Sequence, residues 1–157
     1  MPAARKSTLG RVTLAALAAI LACTRASADT VADVEAATQQ WIAAFNRHSA
    51  TEIVALYAKD AVFFGTSSPV LRDTPELVWD YFKNIAAQGD ATISLGEHRV
   101  QIFGKIAINT GYYIRKTVQA GQIVENPARF TFVYQLRGGK WMIVEHHSSV
   151  PPQPPQS

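Results

Sequence analysis

The sequence predicts an α+β domain in which three N-terminal helices pack on one face of a curved antiparallel sheet. Two observations predict it. Up to Gly89 the apolar residues recur at helical spacing behind recognisable caps, and from Ala91 onward they alternate with period two between glycine-bearing turns. Helices first and a meander after them is the order of an α+β chain, not of alternating βαβ units. The 157 residues, 48% of them apolar, are enough for one domain around one core.

The chain opens with a leader. Arg5, Lys6 and Arg11 precede an apolar run from Val12 to Cys23, which is shorter than the ~20 residues a bilayer-spanning helix needs. Ala26-Ser27-Ala28 supplies an A-x-A pattern before Asp29. The segment 1–28 therefore reads as a signal peptide, which predicts a periplasmic or secreted protein with no membrane attachment after cleavage. The mature chain would hold no cysteine, leaving disulfides no part in its stability. Four of the fifteen basic residues and none of the twelve acids lie in this leader, so the remaining eleven bases and twelve acids leave a net charge of −1. Nucleic acid is excluded as a partner, because neutralising phosphates needs an excess of basic side chains.

From residue 29 to 149 the pattern is that of the single α+β domain. Thr30 and Asp33 cap a long helix whose apolar face runs through Val34, Ala37, Trp41 and Phe45. Ser49 and Glu52 form a second capping box, before a short helix with Ile53, Leu56 and Tyr57. Asp60 to Phe64 reads as a strand, and Gly65 to Pro69 as a loop. Asp73-Thr74-Pro75-Glu76 opens a third helix. Its apolar residues Leu77, Val78, Trp79, Tyr81, Phe82 and Ile85 extend more than halfway round, which predicts burial on several sides. Strands follow from Ile93 to Phe103 and from Ile106 to Val118, then a loop from Gln119 to Asn126. Two further strands, Arg129 to Arg137 and Lys140 to Ser148, are joined by Gly138-Gly139. The proline-rich residues 150–157 read as a loose extended tail.

The last two strands are apolar on both faces. Phe130, Phe132, Tyr134 and Leu136 occupy the even positions while Thr131 and Val133 hold odd ones, and Trp141 and Ile143 alternate with Met142 and Val144. A sheet with helices on one side and water on the other alternates apolar with polar. The pattern predicts a homo-oligomer, at least a dimer, formed through the even face of Phe130 to Leu136.

The stretch Ala128 to Tyr134, followed by Gly138-Gly139-Lys140-Trp141 and by Glu145-His146-His147-Ser148-Ser149, resembles the association (hub) domain of calcium/calmodulin-dependent protein kinase II. It is more similar still to that domain's stand-alone, exported bacterial relatives in the cone-shaped nuclear transport factor 2-like superfamily. Trp41, Phe45-Asn46, Leu56 to Val62 and Gly111-Tyr112-Tyr113 fit the same pattern, so the resemblance runs from Val31 to Ser149. It implies the cone fold and self-association through the sheet. It does not imply kinase activity, since no kinase signature motif occurs. Where the hub carries pocket arginines, this chain aligns Ile114, Phe132 and Ser148. The superfamily also holds ketosteroid isomerases, dehydratases and SnoaL-like polyketide cyclases, alongside members that catalyse nothing.

Arg129, inside an apolar strand and in phase with Thr131, is expected either to pair with Glu145 or Asp60 or to anchor a small acidic ligand. His147 is a candidate hydrogen-bonding or acid/base group. Of Tyr112 and Tyr113, which alternate faces, one enters the cone; Tyr112 is assigned to the ligand with Arg129, Thr131 and His147. His146 and His147 point to opposite faces and cannot share a metal, and no cofactor is expected. Asp60 is a weaker candidate for a general base. The expected function is a non-catalytic oligomeric domain that holds a small apolar or acidic molecule in its cone. The alternative is a cofactor-independent lyase or isomerase using the same pocket.

Overall fold

Thr30 accepts from the backbone of Asp33 while the Asp33 carboxylate accepts from the Thr30 N–H, so helix α1 (Val31–Asn46) starts where its capping box places it. This is a computed structural model, and it describes residues 30–87 and 89–152. The expected leader, its cleavage before Asp29 and the end of the proline-rich tail lie outside the described residues. Ser49 caps α2 (Ala50–Val54), and Thr74 caps α3 (Pro75–Ala86) with Pro75 in the first turn. The strands are β1 (Tyr57–Phe64), β2 (Leu71–Arg72), β3 (Thr92–Phe103), β4 (Ile106–Gln119), β5 (Gln122–Arg137) and β6 (Lys140–Ser149).

The six strands form one sheet in the order β2-β1-β6-β5-β4-β3. Strands β3 to β6 are the expected antiparallel meander, but β1 runs parallel to β6 and makes the sheet mixed. Which strand receives β1 is a long-range choice that no local pattern encodes. Asn46 ties α1 to the start of β3 through both its side-chain groups, accepting from Ile93 N–H at 2.7 Å and donating to Ile93 C=O at 2.9 Å.

Three expectations about elements are corrected. Residues 119–126 are not a loop: β4 and β5 continue to a two-residue turn at Ala120-Gly121, both with positive φ, and pair as far as Gln119 with Gln122. Pro127 is paired with Ile114 beyond Arg129, where β5 no longer has β6 beside it, an edge position that tolerates a missing N–H. Helix α3 is not buried on several sides. Only Val78 and Phe82 are buried, while Trp79 is exposed and lies under the Lys83 ammonium, 4.7 Å from its ring centroid.

The third correction concerns which face of the sheet is covered. Phe130, Phe132 and Tyr134 on the even face of β5 are buried within the chain, with the Phe132 ring 5.2 Å from Trp41 of α1. That face is therefore core, and Phe132 is not an interface residue. The opposite face carries exposed Tyr112, Arg129 and His147 with half-buried Thr131 and Val133. In β6 the pairing passes from Tyr134–Ile143 to Val133–Glu145, leaving Val144 as a bulge. The inward-facing series consequently changes phase, from Trp141 and Ile143 to His146 and Ser148, all four buried.

Candidate functional site

Beneath α1 and α3 the cone encloses a cavity of about 360 Å³. Its apolar wall is aromatic, with Trp41, Phe45, Phe63, Tyr81 and Phe82. Its polar wall comes from Thr66 in the β1–β2 loop, Tyr113 and Arg115 on β4, Asn126 on β5, and His146 and Ser148 on β6. Among the described lining residues there is no aspartate or glutamate.

Gly65 brings the loop to this wall. A Cβ there would fall 2.4 Å from the Tyr81 ring, so only glycine lets Tyr81 lie against the loop while Thr66 reaches inward. The Thr66 hydroxyl lies 2.7 Å from Tyr113 Oη and 2.6 Å from Ser148 Oγ, and those two are 2.6 Å apart. Ser148 Oγ is also 3.1 Å from the Arg129 carbonyl, which can only accept. Burial pushes the Tyr113 hydroxyl above its ordinary pKa, so it stays protonated.

A second chain of hydrogen bonds sets the state of His146. Trp41 Nε1–H donates to Tyr57 Oη at 3.1 Å, and Tyr57 Oη lies 2.7 Å from His146 Nδ1. Indole can only donate, so the Tyr57 oxygen is the acceptor of that bond and its own proton is satisfied by pointing at Nδ1. A neutral His146 then carries its proton on Nε2, which has no protein partner among the described residues. Burial, with a smaller contribution from the His147 charge, pushes the His146 pKa down to about 3, and burial raises Tyr57 well above the usual tyrosine range. The ring is therefore a neutral donor over the physiological range, and neither an acid nor a cation.

The four residues assigned from sequence do come together, but outside the cone. Tyr112 pairs across the ladder with Arg129, and Thr131 with His147, on the face away from the helices, where Arg129 and its neighbours border shallow surface grooves. Arg129 is exposed, and among the described residues it donates long hydrogen bonds to Ser149 Oγ at 3.3 Å and the Val150 carbonyl at 3.4 Å. Neither expected carboxylate pairs with it: Asp60 is held at the surface by Arg137, at 2.9 Å from Nη2 to Oδ2, and does not line the cavity. Of the two tyrosines, Tyr113 enters the cone and Tyr112 is 53% exposed.

Sequence reasoning missed His146, Ser148, Thr66 and Arg115. The bulge at Val144 moved His146 and Ser148 inward, and Arg115 follows Tyr113 by two positions on the same face of β4. Alternation counted outward from Tyr113 is the one signal that would have found Arg115. Among the described residues no three His, Cys, Asp or Glu side chains gather as a metal site would require.

A family model described as the SnoaL-like domain matches residues 34–153. No curated protein sequence matches the chain. Among solved structures the chain is similar to one from Xanthomonas campestris, described as a calcium/calmodulin-dependent protein kinase II association domain. The two are 30% identical with a TM-score of 0.71, over 76% of this chain and 86% of that one. It is also similar to a protein from Streptomyces avermitilis, described as a dehydratase of the nuclear transport factor 2-like family, at 16% identity and TM-score 0.70 over 77% of this chain and 95% of that one. A ketosteroid isomerase-like protein from Erwinia carotovora atroseptica is 17% identical with a TM-score of 0.65, over 80% and 99% of the respective chains. The last two likenesses, at such identities, concern the fold alone.

Proposed function

Because the chain belongs to the SnoaL-like family and has the nuclear transport factor 2-like fold, we propose that it is an exported, association-domain-like protein that self-assembles and holds a small molecule in its cone without transforming it. One observation carries this reading: the cavity joins an aromatic wall to a neutral His146 donor and a hydroxyl cluster, with no carboxylate among the described lining residues. Proton abstraction needs a base within reach of the substrate, and a histidine with a pKa of about 3 is a weak one. Binding needs only the shape and the donors.

The resemblance to the hub supports self-assembly, and the outer sheet face is the surface this reading assigns to it. Half-buried Val133 and exposed Phe64 and Tyr112 give that face an apolar part, while Arg129, Thr131 and His147 give it a polar one.

Native mass spectrometry of the purified chain tests both parts of the reading. The expected result is a multiple of the protomer mass together with a small molecule released on activation. Thermal melts with a panel of one- and two-ring aromatic compounds complete the test. A monomer that carries no molecule, and whose melting is moved by no compound in the panel, overturns the reading.

A further inference from the structure

The hydroxyl protons around the cavity can be counted. Thr66, Tyr113 and Ser148 bring three protons to three mutual contacts and one backbone carbonyl. The protons run either round the ring of three or through Thr66 and Tyr113, in either order, to Ser148 and on to the Arg129 carbonyl. In both arrangements every proton is consumed inside the cluster, and only oxygen lone pairs are left for the cavity. At His146 the count is the reverse. Tyr57 fills Nδ1, and the Nε2–H is buried without a protein acceptor among the described residues. His146 and Ser148 are same-face neighbours on β6, roughly 7 Å apart along the strand.

We infer that the cone is built for an uncharged one- or two-ring compound with a hydroxyl or N–H donor at one end, for the Thr66–Tyr113–Ser148 cluster, and a carbonyl-type acceptor at the other, for His146 Nε2–H. The inference rests on the ligand-holding reading and adds the polarity of the ligand. At the cluster three oxygens with spent protons offer an anion no donor, and the Arg115 guanidinium on the same wall, whose charge acts on Tyr113, is the cation that opposes this preference. The cavity volume of about 360 Å³ suits such a compound, since a water occupies about 30 Å³ in the liquid. His146 Nε2 is buried, with the rings of Phe132 and Phe63 centred 4.3 and 4.8 Å from that of His146, so an acceptor reaches it by displacing packed side chains. A compound without an acceptor has no such gain to offset the movement.

Calorimetric titration with 4-hydroxyacetophenone, acetophenone, 4-ethylphenol, 4-methoxyacetophenone and 4-hydroxybenzoate tests the polarity directly. The first probe is expected to bind at least tenfold tighter than each of the others. His146→Asn keeps an acceptor for Tyr57 but withdraws the Nε2–H, and should erase the advantage over 4-ethylphenol. Ser148→Ala leaves the protons of Thr66 and Tyr113 with a single mutual contact to fill, so one of the two is freed for the cavity. That variant should lose the preference for 4-hydroxyacetophenone over 4-methoxyacetophenone, or reverse it. Circular dichroism of both variants checks that they fold, and should either fail, the order of the five probes on the wild type decides alone. Equal binding of the neutral probes, or tightest binding of 4-hydroxybenzoate, overturns the inferred polarity and leaves the ligand-holding reading standing. Binding of none of the five, alongside an aromatic panel that also moves no melting curve, overturns both.

Discussion

Replacing Tyr57 by phenylalanine removes one oxygen and orphans two buried groups, the Trp41 Nε1–H and His146 Nδ1. Each unsatisfied buried group costs about 1–3 kcal/mol, so Tyr57→Phe should lower stability by about 2–6 kcal/mol in urea unfolding. A loss within experimental error would show that the three groups do not form the chain described. His146 makes a second forecast. Its folded pKa of about 3 lies below the ordinary histidine value of 6.5, so above pH 6.5 both states are neutral there and its contribution is constant. As the pH falls from 6.5 toward 3, the unfolded chain takes up a proton that the folded chain refuses, and stability drops by up to ~1.4 kcal/mol per pH unit. The urea midpoint of the wild type should thus fall faster between pH 7 and pH 4 than that of His146→Asn. Asp33 and Asp60, whose carboxyls are held low by Thr30 and Arg137, contribute equally to both proteins and cancel in the comparison.

At the scale of elements, the β4–β5 turn carries a local conflict. Its two central residues both need positive φ, and Ala120 sits there at +49° beside Gly121 at +79°. A side chain with a plain Cβ is disfavoured in that region, whereas asparagine tolerates it and Asn-Gly is the preferred pair for such a turn. Ala120→Asn is expected to stabilise the protein by about 1 kcal/mol without changing its fold. The check is a thermal melt with an unchanged circular dichroism spectrum, and a destabilised variant would contradict the turn geometry. The same turn explains why residues 119–126 look like a loop in sequence. An Ala-Gly pair is a weak hairpin signal, and Asn126-Pro127 reads as punctuation until the sheet shows that Pro127 sits on an edge.

For the whole molecule, the proposed assembly and the observed core make opposite demands on adjacent residues of β5. Phe132 is 2% exposed and packs on Trp41 and His146, so Phe132→Glu should unfold the protomer whatever its partners. Val133 faces the other way, opposite Glu145. Val133→Lys should leave the fold intact and disperse the assembly, read as a fall in sedimentation coefficient to that of a monomer with an unchanged far-ultraviolet spectrum. If Val133→Lys sediments like the wild type, the outer face is not where the copies meet.

The sequence by itself determined the α+β class, the three helix starts and the meander from β3 to β6, because caps, periodicity and glycine turns are interactions within a few residues, while the family was legible only as a resemblance of the last two strands. The caps at Thr30, Ser49 and Thr74 needed nothing else. Tertiary structure alone decided which face of each strand looks inward. Both faces of β5 and β6 are largely apolar, so alternation gave no choice between Phe132 and Val133 as the core residue. The covering helix α1 made that choice, since Trp41 meets the even face. A single bulge at Val144 then inverted the phase of β6, which put His146 and Ser148 in the cone and His147 outside it. A strand has period two, so one inserted residue exchanges its faces, and what selects the insertion is the packing of distant elements rather than anything in the strand itself.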